Sequence, residues 1–535
     1  MDTASENHYG LLNPQRSVSS NADQAASERF SRYPAHNASD GTGPPPCHSL
    51  LFSLTAPLYW RLQKEFFLLN NRYRFTPPRA TGNLLLPGLD GRFMRAATAS
   101  TSATSVGGFE TPLYIKSELA NGVRVVTGPM SGVRSASLIF YYNIGSRSEP
   151  APIAGVAHFL EHMLFKGTER RPDPMKLSEE IEGVGGIVNA GTGRESTSYW
   201  CKVPSTHVEL AFDVMADMLR NSLFVEEEMT KERKVIVEEI RSTQDIPEEL
   251  VHDLIDEVVW GDDPVGREIA GTEETVRALT RDQMVDFFER NYTPDRLVIA
   301  AGGDVRHEDI VALTERYFGD LTAAGTPDTY TPAVITQDAK RVKVLNRETE
   351  QAHLCISMPG VSFFDERRYA QSTIEAVLSS GMSSRLFQEI REKRGLVYSV
   401  YGYFRGYEDV GQGVVYAGTD LERVDEAIEA IVGELKKLRD IPVSAEELEH
   451  TKTLRKGRLL MGLEDSRSVA SWIGSQEATY GEIKTPEEVM EKIDAVTVED
   501  VQALAQELIR EDRLSMALIG PYDDAAHFEP LLSLG

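Results

Sequence analysis

The chain has 535 residues, 41% of them hydrophobic and 26% charged, which is enough for two or more domains that each bury a core. A formal charge of −27 argues against nucleic acid or an anionic membrane surface as the main partner. Cys47, Cys201 and Cys355 are few and far apart, so no disulfide framework is expected, and a reducing, cytoplasmic setting follows.

Residues 1–107 are rich in Ser, Ala, Pro and Asn, contain "GTGPPP" and "TASTSATS", and lack sustained periodicity, so a disordered segment is expected there. The apolar run "LLFSLTAPLYWRLQKEFFLL" is broken by Arg61, Lys64 and Glu65. It falls short of the ~20 apolar residues that span a bilayer, so no membrane span is expected. The stretch "MRAATASTSATS" is open to two readings: an organellar targeting segment, though without an Arg-rich amphipathic helix, or a translation start near Met94.

From Leu113 the chain becomes regular. "GVRVVTGPM" and "SASLIFYYNIG" alternate like strands, and a helix-rich block follows from Gly155. One half ends in "TRDQMVDFFERNYTPDRLVIAAGG" and the other in "TVEDVQALAQELIREDRLSMALIG". Thr280 matches Thr497 and Arg296 matches Arg513 at a constant offset of 217, which implies a duplicated domain rather than a solenoid. Phe224 and Ile441 fall opposite each other at the same offset, each ahead of an acidic helix start. "TAAGTPDTYTPA" reads as the linker between the halves. The expected architecture is α+β, with two homologous domains at 108–321 and 335–535 joined by 322–334. Each is a mainly antiparallel sheet covered by helices.

In "GVAHFLEHMLFKGT", His158, Glu161 and His162 share one arc of about 100° on a helix, and Val156, Phe159, Leu160, Met163 and Leu164 fill the rest. A helix apolar on its other sides is buried, so the polar arc must face something that satisfies it. Histidines at i and i+4 lie about 6 Å apart along the axis and can reach one metal ion, with Glu161 placed to take a proton from water. H-x-x-E-H inverts the H-E-x-x-H zinc motif. A tetrahedral site for hydrolysis needs a third protein ligand, and "EEEMTKERKVIVEEIRS" offers Glu238 and Glu239. Helical phase puts Glu239 on the inward face with Glu232, Val235, Ile236 and Ile240, and puts Glu238 on a charged face with Lys231 and Lys234. Glu239 is therefore the expected ligand, with Glu232 as a catalytic-site residue that orients the site or tunes the bound water.

"HFLEHMLFKGT", followed 77 positions after His162 by Glu239 in "ERKVIVEEI", resembles the pitrilysin/insulinase family of zinc peptidases. The similarity is greatest to the branch of the mitochondrial processing peptidase and its bacterial relatives. The resemblance runs from about Leu113 to the C-terminus. It implies one zinc per chain on His158, His162 and Glu239, with Glu161 as general base. "GGIVNAGTGRESTSYW" is similar to the family's edge strand, which implies that Asn189 and Ala190 line a bound peptide. "SSRLFQEIREKRGLVYS" is similar to the segment that implies a substrate-facing, transition-state role for Arg391 and Tyr398.

His353, His450 and His527 of the second half form no such motif, so an inactive second domain is expected. The resemblance also implies a closed chamber of four such domains, hence a homodimer or a heterodimer with a related subunit, acting on short or unfolded peptides. The rival expectation is a non-catalytic scaffold or partner subunit.

Overall fold

The structure, a computed structural model, describes residues 113–323, 325–334 and 337–535, and the backbone alone of Ser102–Thr104. The apolar run Leu50–Leu69 and the expected disorder before residue 102 lie outside the described residues. Within the segment expected to be irregular, Ser102–Thr104 (β1) pairs antiparallel with Tyr114–Glu118 (β2).

The remaining strands are Arg124–Pro129 (β3), Ser135–Tyr142 (β4), Ile187–Thr192 (β5), Thr197–Pro204 (β6), Leu297–Gly303 (β7), Arg341–Asn346 (β8), Ala352–Gly360 (β9), Val397–Gly406 (β10), Gly411–Thr419 (β11) and Ser515–Gly520 (β12). They form two sheets, ordered β1-β2-β3-β7-β4-β6-β5 and β10-β11-β9-β12-β8. The second order read backwards, β8-β12-β9-β11-β10, repeats the first from β3 onward. Among the described residues each has a single parallel pair, β3–β7 and β8–β12. This is the α+β, mainly antiparallel duplication that the sequence leads one to expect. Thr280 and Thr497 are both helix N-caps in capping boxes, and each helix leads into the strand parallel to its half's first long strand.

Strands β7, β11 and β12 are buried along their whole length, because both faces of each sheet are covered. One face of each sheet carries its own half's helices. The other face receives a helix from the opposite half. Ala470 and Ile473 of helix Ser466–Tyr480 pack on Val126, Ile139, Val298 and Ala300 of the first sheet. Val251, Leu254 and Ile255 of helix Pro247–Trp260 pack on Cys355, Val414, Ala517 and Ile519 of the second. Among the described residues, no helix is long and apolar enough to cross a membrane.

Candidate metal centre

The motif helix spans Val156–Leu164 and is set by its entry. Gly155, with φ 92°, is its N-cap, and a Cβ there would meet the Ala270 carbonyl oxygen at 2.4 Å. The carboxylate of Glu149 accepts from the backbone N–H of Gly155 and of Ala157, both at 2.7 Å, satisfying two otherwise orphan donors at a positive helix end. Burial pushes this carboxyl up to about 8, against those two bonds and the nearby Arg267 charge. Val156, Phe159, Leu160, Met163 and Leu164 fill the core, which leaves the polar arc facing the long helix Glu226–Asp245.

That long helix ends where Pro247 forces Ile246 out of helical geometry (φ −105°, ψ 102°). Along it, Glu238 is exposed and paired with Arg241 at 2.9 Å, while the Glu239 side chain is only 15% exposed and turns toward the histidines. Glu239 Oε2 lies 3.5 Å from His162 Nε2 and 4.0 Å from His158 Nε2. One ligand atom from each of the three residues falls within 4.8 Å of the others, and among the described residues this is the only such His/Cys/Asp/Glu trio.

Among the described residues, His162 Nε2, Glu239 Oε2 and His158 Nδ1 are buried without hydrogen-bond partners, a costly arrangement for a protein interior. Two imidazoles and a carboxylate at these separations suit zinc, which bonds each donor at about 2 Å. The residues fit that ion.

His162 Nδ1–H donates to Glu232 Oε2 at 3.1 Å, and Lys166 pairs with the other Glu232 oxygen at 2.7 Å. This bond fixes the tautomer that turns His162 Nε2 toward Glu239. Burial, followed by the His162 charge, lowers His158 to about 3, so it stays neutral and able to ligate. For His162 burial opposes protonation, but the Glu232 bond and the Glu239 and Glu161 charges outweigh it and raise the pKa. Burial raises both Glu161 and Glu239, with the nearby His162 opposing in each case. Burial also acts on Glu232, yet its bonds to His162 and Lys166 hold it below the ordinary range.

Glu161 accepts a hydrogen bond from the Thr192 hydroxyl at the end of β5. Among the described residues β5 pairs only with β6, at the edge of the sheet. On it Asn189 is half-buried and bonds the Ala190 N–H, while Ala190 is buried. Arg391 lies on a π-helical stretch, Phe387–Lys393, with its guanidinium 5.8 Å from the ring of Tyr398. Tyr398 is 77% exposed. Glu149, Thr192 and Lys166 escape sequence reasoning. Glu149 lies six positions before Gly155, the N-cap, and Thr192, although inside the stretch similar to the family's edge strand, carries no signal of its own.

The chain matches the family model described as insulinase, peptidase family M16, over residues 124–273, and the M16 inactive domain over 278–454. An uncharacterized zinc protease of Streptomyces coelicolor is 38% identical over 443 residues, covering 80% of this chain and 96% of that relative. The uncharacterized zinc protease YmxG of Bacillus subtilis is 39% identical over 402 residues, covering 75% and 97%. Among solved structures, a protease from Helicobacter pylori shares the fold at 21% identity, with a TM-score of 0.73, over 76% of this chain and 99% of its own. The duplicated fold and the matched family models thus place the chain in a known class of peptidases. The chain belongs to the insulinase family, peptidase family M16.

Proposed function

We propose that this chain is a zinc metalloendopeptidase that cuts short or unfolded peptides, with His158, His162 and Glu239 as ligands. The observation that carries this reading is the convergence of those three side chains, with buried unpartnered atoms, beside Glu161. Zinc, when bound, supplies a Lewis acid for the scissile carbonyl and lowers the pKa of water. Glu161, held by Thr192, takes the proton of the attacking water and passes it to the leaving amine nitrogen. Glu232 holds His162 in its ligating orientation.

The exposed edge β5, with Asn189 and Ala190, accepts extended substrate as an added strand. Arg391 and Tyr398 of the second half donate to the developing oxyanion. In this reading residues 108–321 form the active domain, 322–334 the linker and 335–535 the inactive domain. The chain works in the cytoplasm as a dimer, with itself or with a related subunit.

The deciding experiment measures zinc in the purified protein and its cleavage of a denatured substrate. The expected result is one zinc per chain and chelator-sensitive cleavage. Full zinc with no cleavage of any unfolded substrate would favour the scaffold reading.

A further inference from the structure

We infer that Arg147 is a positioning residue that couples the second half of the chain to both ends of the catalytic machinery. Its kinetic consequence rests on the peptidase reading; its structural consequence does not. The Arg147 side chain is completely buried in the loop between β4 and the motif helix. Its guanidinium donates to both carboxylate oxygens of Asp409, at 2.7 and 2.8 Å, and to Glu195 at 2.6 Å. Asp409 lies in the turn between β10 and β11 of the second half, and also accepts the N–H of Ala333 in the linker at 2.6 Å. The linker's Tyr330 ring lies 4.0 Å from the guanidinium. A planar bidentate fork, with a ring on its face, fixes direction as well as distance. One side chain thus joins the first half, the linker and the second half.

From Arg147 two short arms lead to the site. Two residues along the chain, Glu149 caps the motif helix through Gly155 and Ala157, and Ala157 precedes the ligand His158. On the other side, Ser146 N–H and Arg147 N–H donate to the Gly193 and Arg194 carbonyls at 3.1 and 2.8 Å. That turn directly follows Thr192, which donates to Glu161. A shift of the β10–β11 turn therefore reaches a ligand and the general base together.

The test compares parental protein with Arg147→Met, Arg147→Lys and Asp409→Asn. It measures zinc content, kcat and KM on an unfolded peptide, and hydrogen exchange with and without zinc. The expected result for Arg147→Met is parental zinc content and a roughly ten- to hundredfold fall in kcat with little change in KM, as for a displacement of about 1 Å. Exchange should quicken selectively in 155–164 and 187–194. Asp409→Asn should reproduce this pattern if the arginine variant fails to fold, and Arg147→Lys should recover part of the loss. Parental kcat in both Arg147→Met and Asp409→Asn, or exchange that quickens equally along the chain, would overturn the inference. If zinc-loaded parental protein cleaves nothing, the peptidase reading fails, and the exchange pattern alone decides the coupling.

Discussion

Glu161 and Glu239 are two carboxyls raised by the same burial beside the same histidine, but their neighbours differ. Glu161 has a hydroxyl partner in Thr192, whereas Glu239 keeps one oxygen bare toward the imidazoles. Glu161→Gln should therefore keep zinc and lose about 10²–10⁴ in rate, since only the base is removed. Turnover at the parental level in this variant would refute the role. Glu239→Gln should lose zinc while Glu238→Gln keeps it, as metal analysis of the two proteins will show. Glu238 points to solvent and Arg241, so its charge has no route to the site. Helical phase made the inward placement of Glu239 and the outward placement of Glu238 readable from the sequence. The Glu149 cap was not readable, because a residue six positions upstream is brought to a helix end only by the fold.

At the scale of elements, helix Ser466–Tyr480 approaches the first sheet closely through Gly474, where a Cβ would lie 2.6 Å from both Ala300 and Tyr141. Alanine gains up to about 1 kcal/mol of helix propensity over glycine, but overpacking a full interface costs about 1–3 kcal/mol. The steric term wins, so Gly474→Ala should destabilise. Gly457, in helix Ala445–Gly462, has nothing within 4 Å of such a Cβ, so Gly457→Ala should stabilise by about 0.5–1 kcal/mol. Denaturant midpoints of the two variants, moving in opposite directions, check the pair. The apolar positions of the two exchanged helices, Val251, Leu254 and Ile255 in one and Val469, Ala470 and Ile473 in the other, mark a face for burial. They do not say which sheet that face covers, and that is why the exchange of helices between halves is absent from the sequence reading.

Across the whole molecule, the reciprocal helix on the second sheet places His252 among tyrosines, bonded to Tyr401 at 3.0 Å and Tyr403 at 2.9 Å. Burial, followed by the Arg405 charge, lowers it from 6.5 to about 3. The unfolded chain then binds its proton first as pH falls. The neutral imidazole's contribution is full above about pH 6.5 and is lost progressively toward pH 3, by at most about 1.4 kcal/mol per pH unit. His252→Gln should lower stability at neutral pH and flatten the acid slope. Equal slopes in parent and variant, from denaturant unfolding at pH 6.5 and 4.5, would count against it. Substrate choice belongs to this scale too. A site that captures backbone on an edge strand should digest a denatured protein and spare its native form, and comparable digestion of both would remove that expectation.

What the sequence determined by itself was local or repeated. The helical arc of His158, Glu161 and His162, the phase separating Glu239 from Glu238 and the 217-residue duplication are periodic signals within single elements or copies of them, whereas the edge position of β5 was an expectation from family resemblance alone. Tertiary structure decided what joins distant elements. Arg147 meets Glu195 48 positions away and Asp409 262 positions away, and each half closes its sheet with the other's helix. A buried arginine has no period to betray its partner. Its pairing is set by the cost of leaving that charge alone once the two halves have packed.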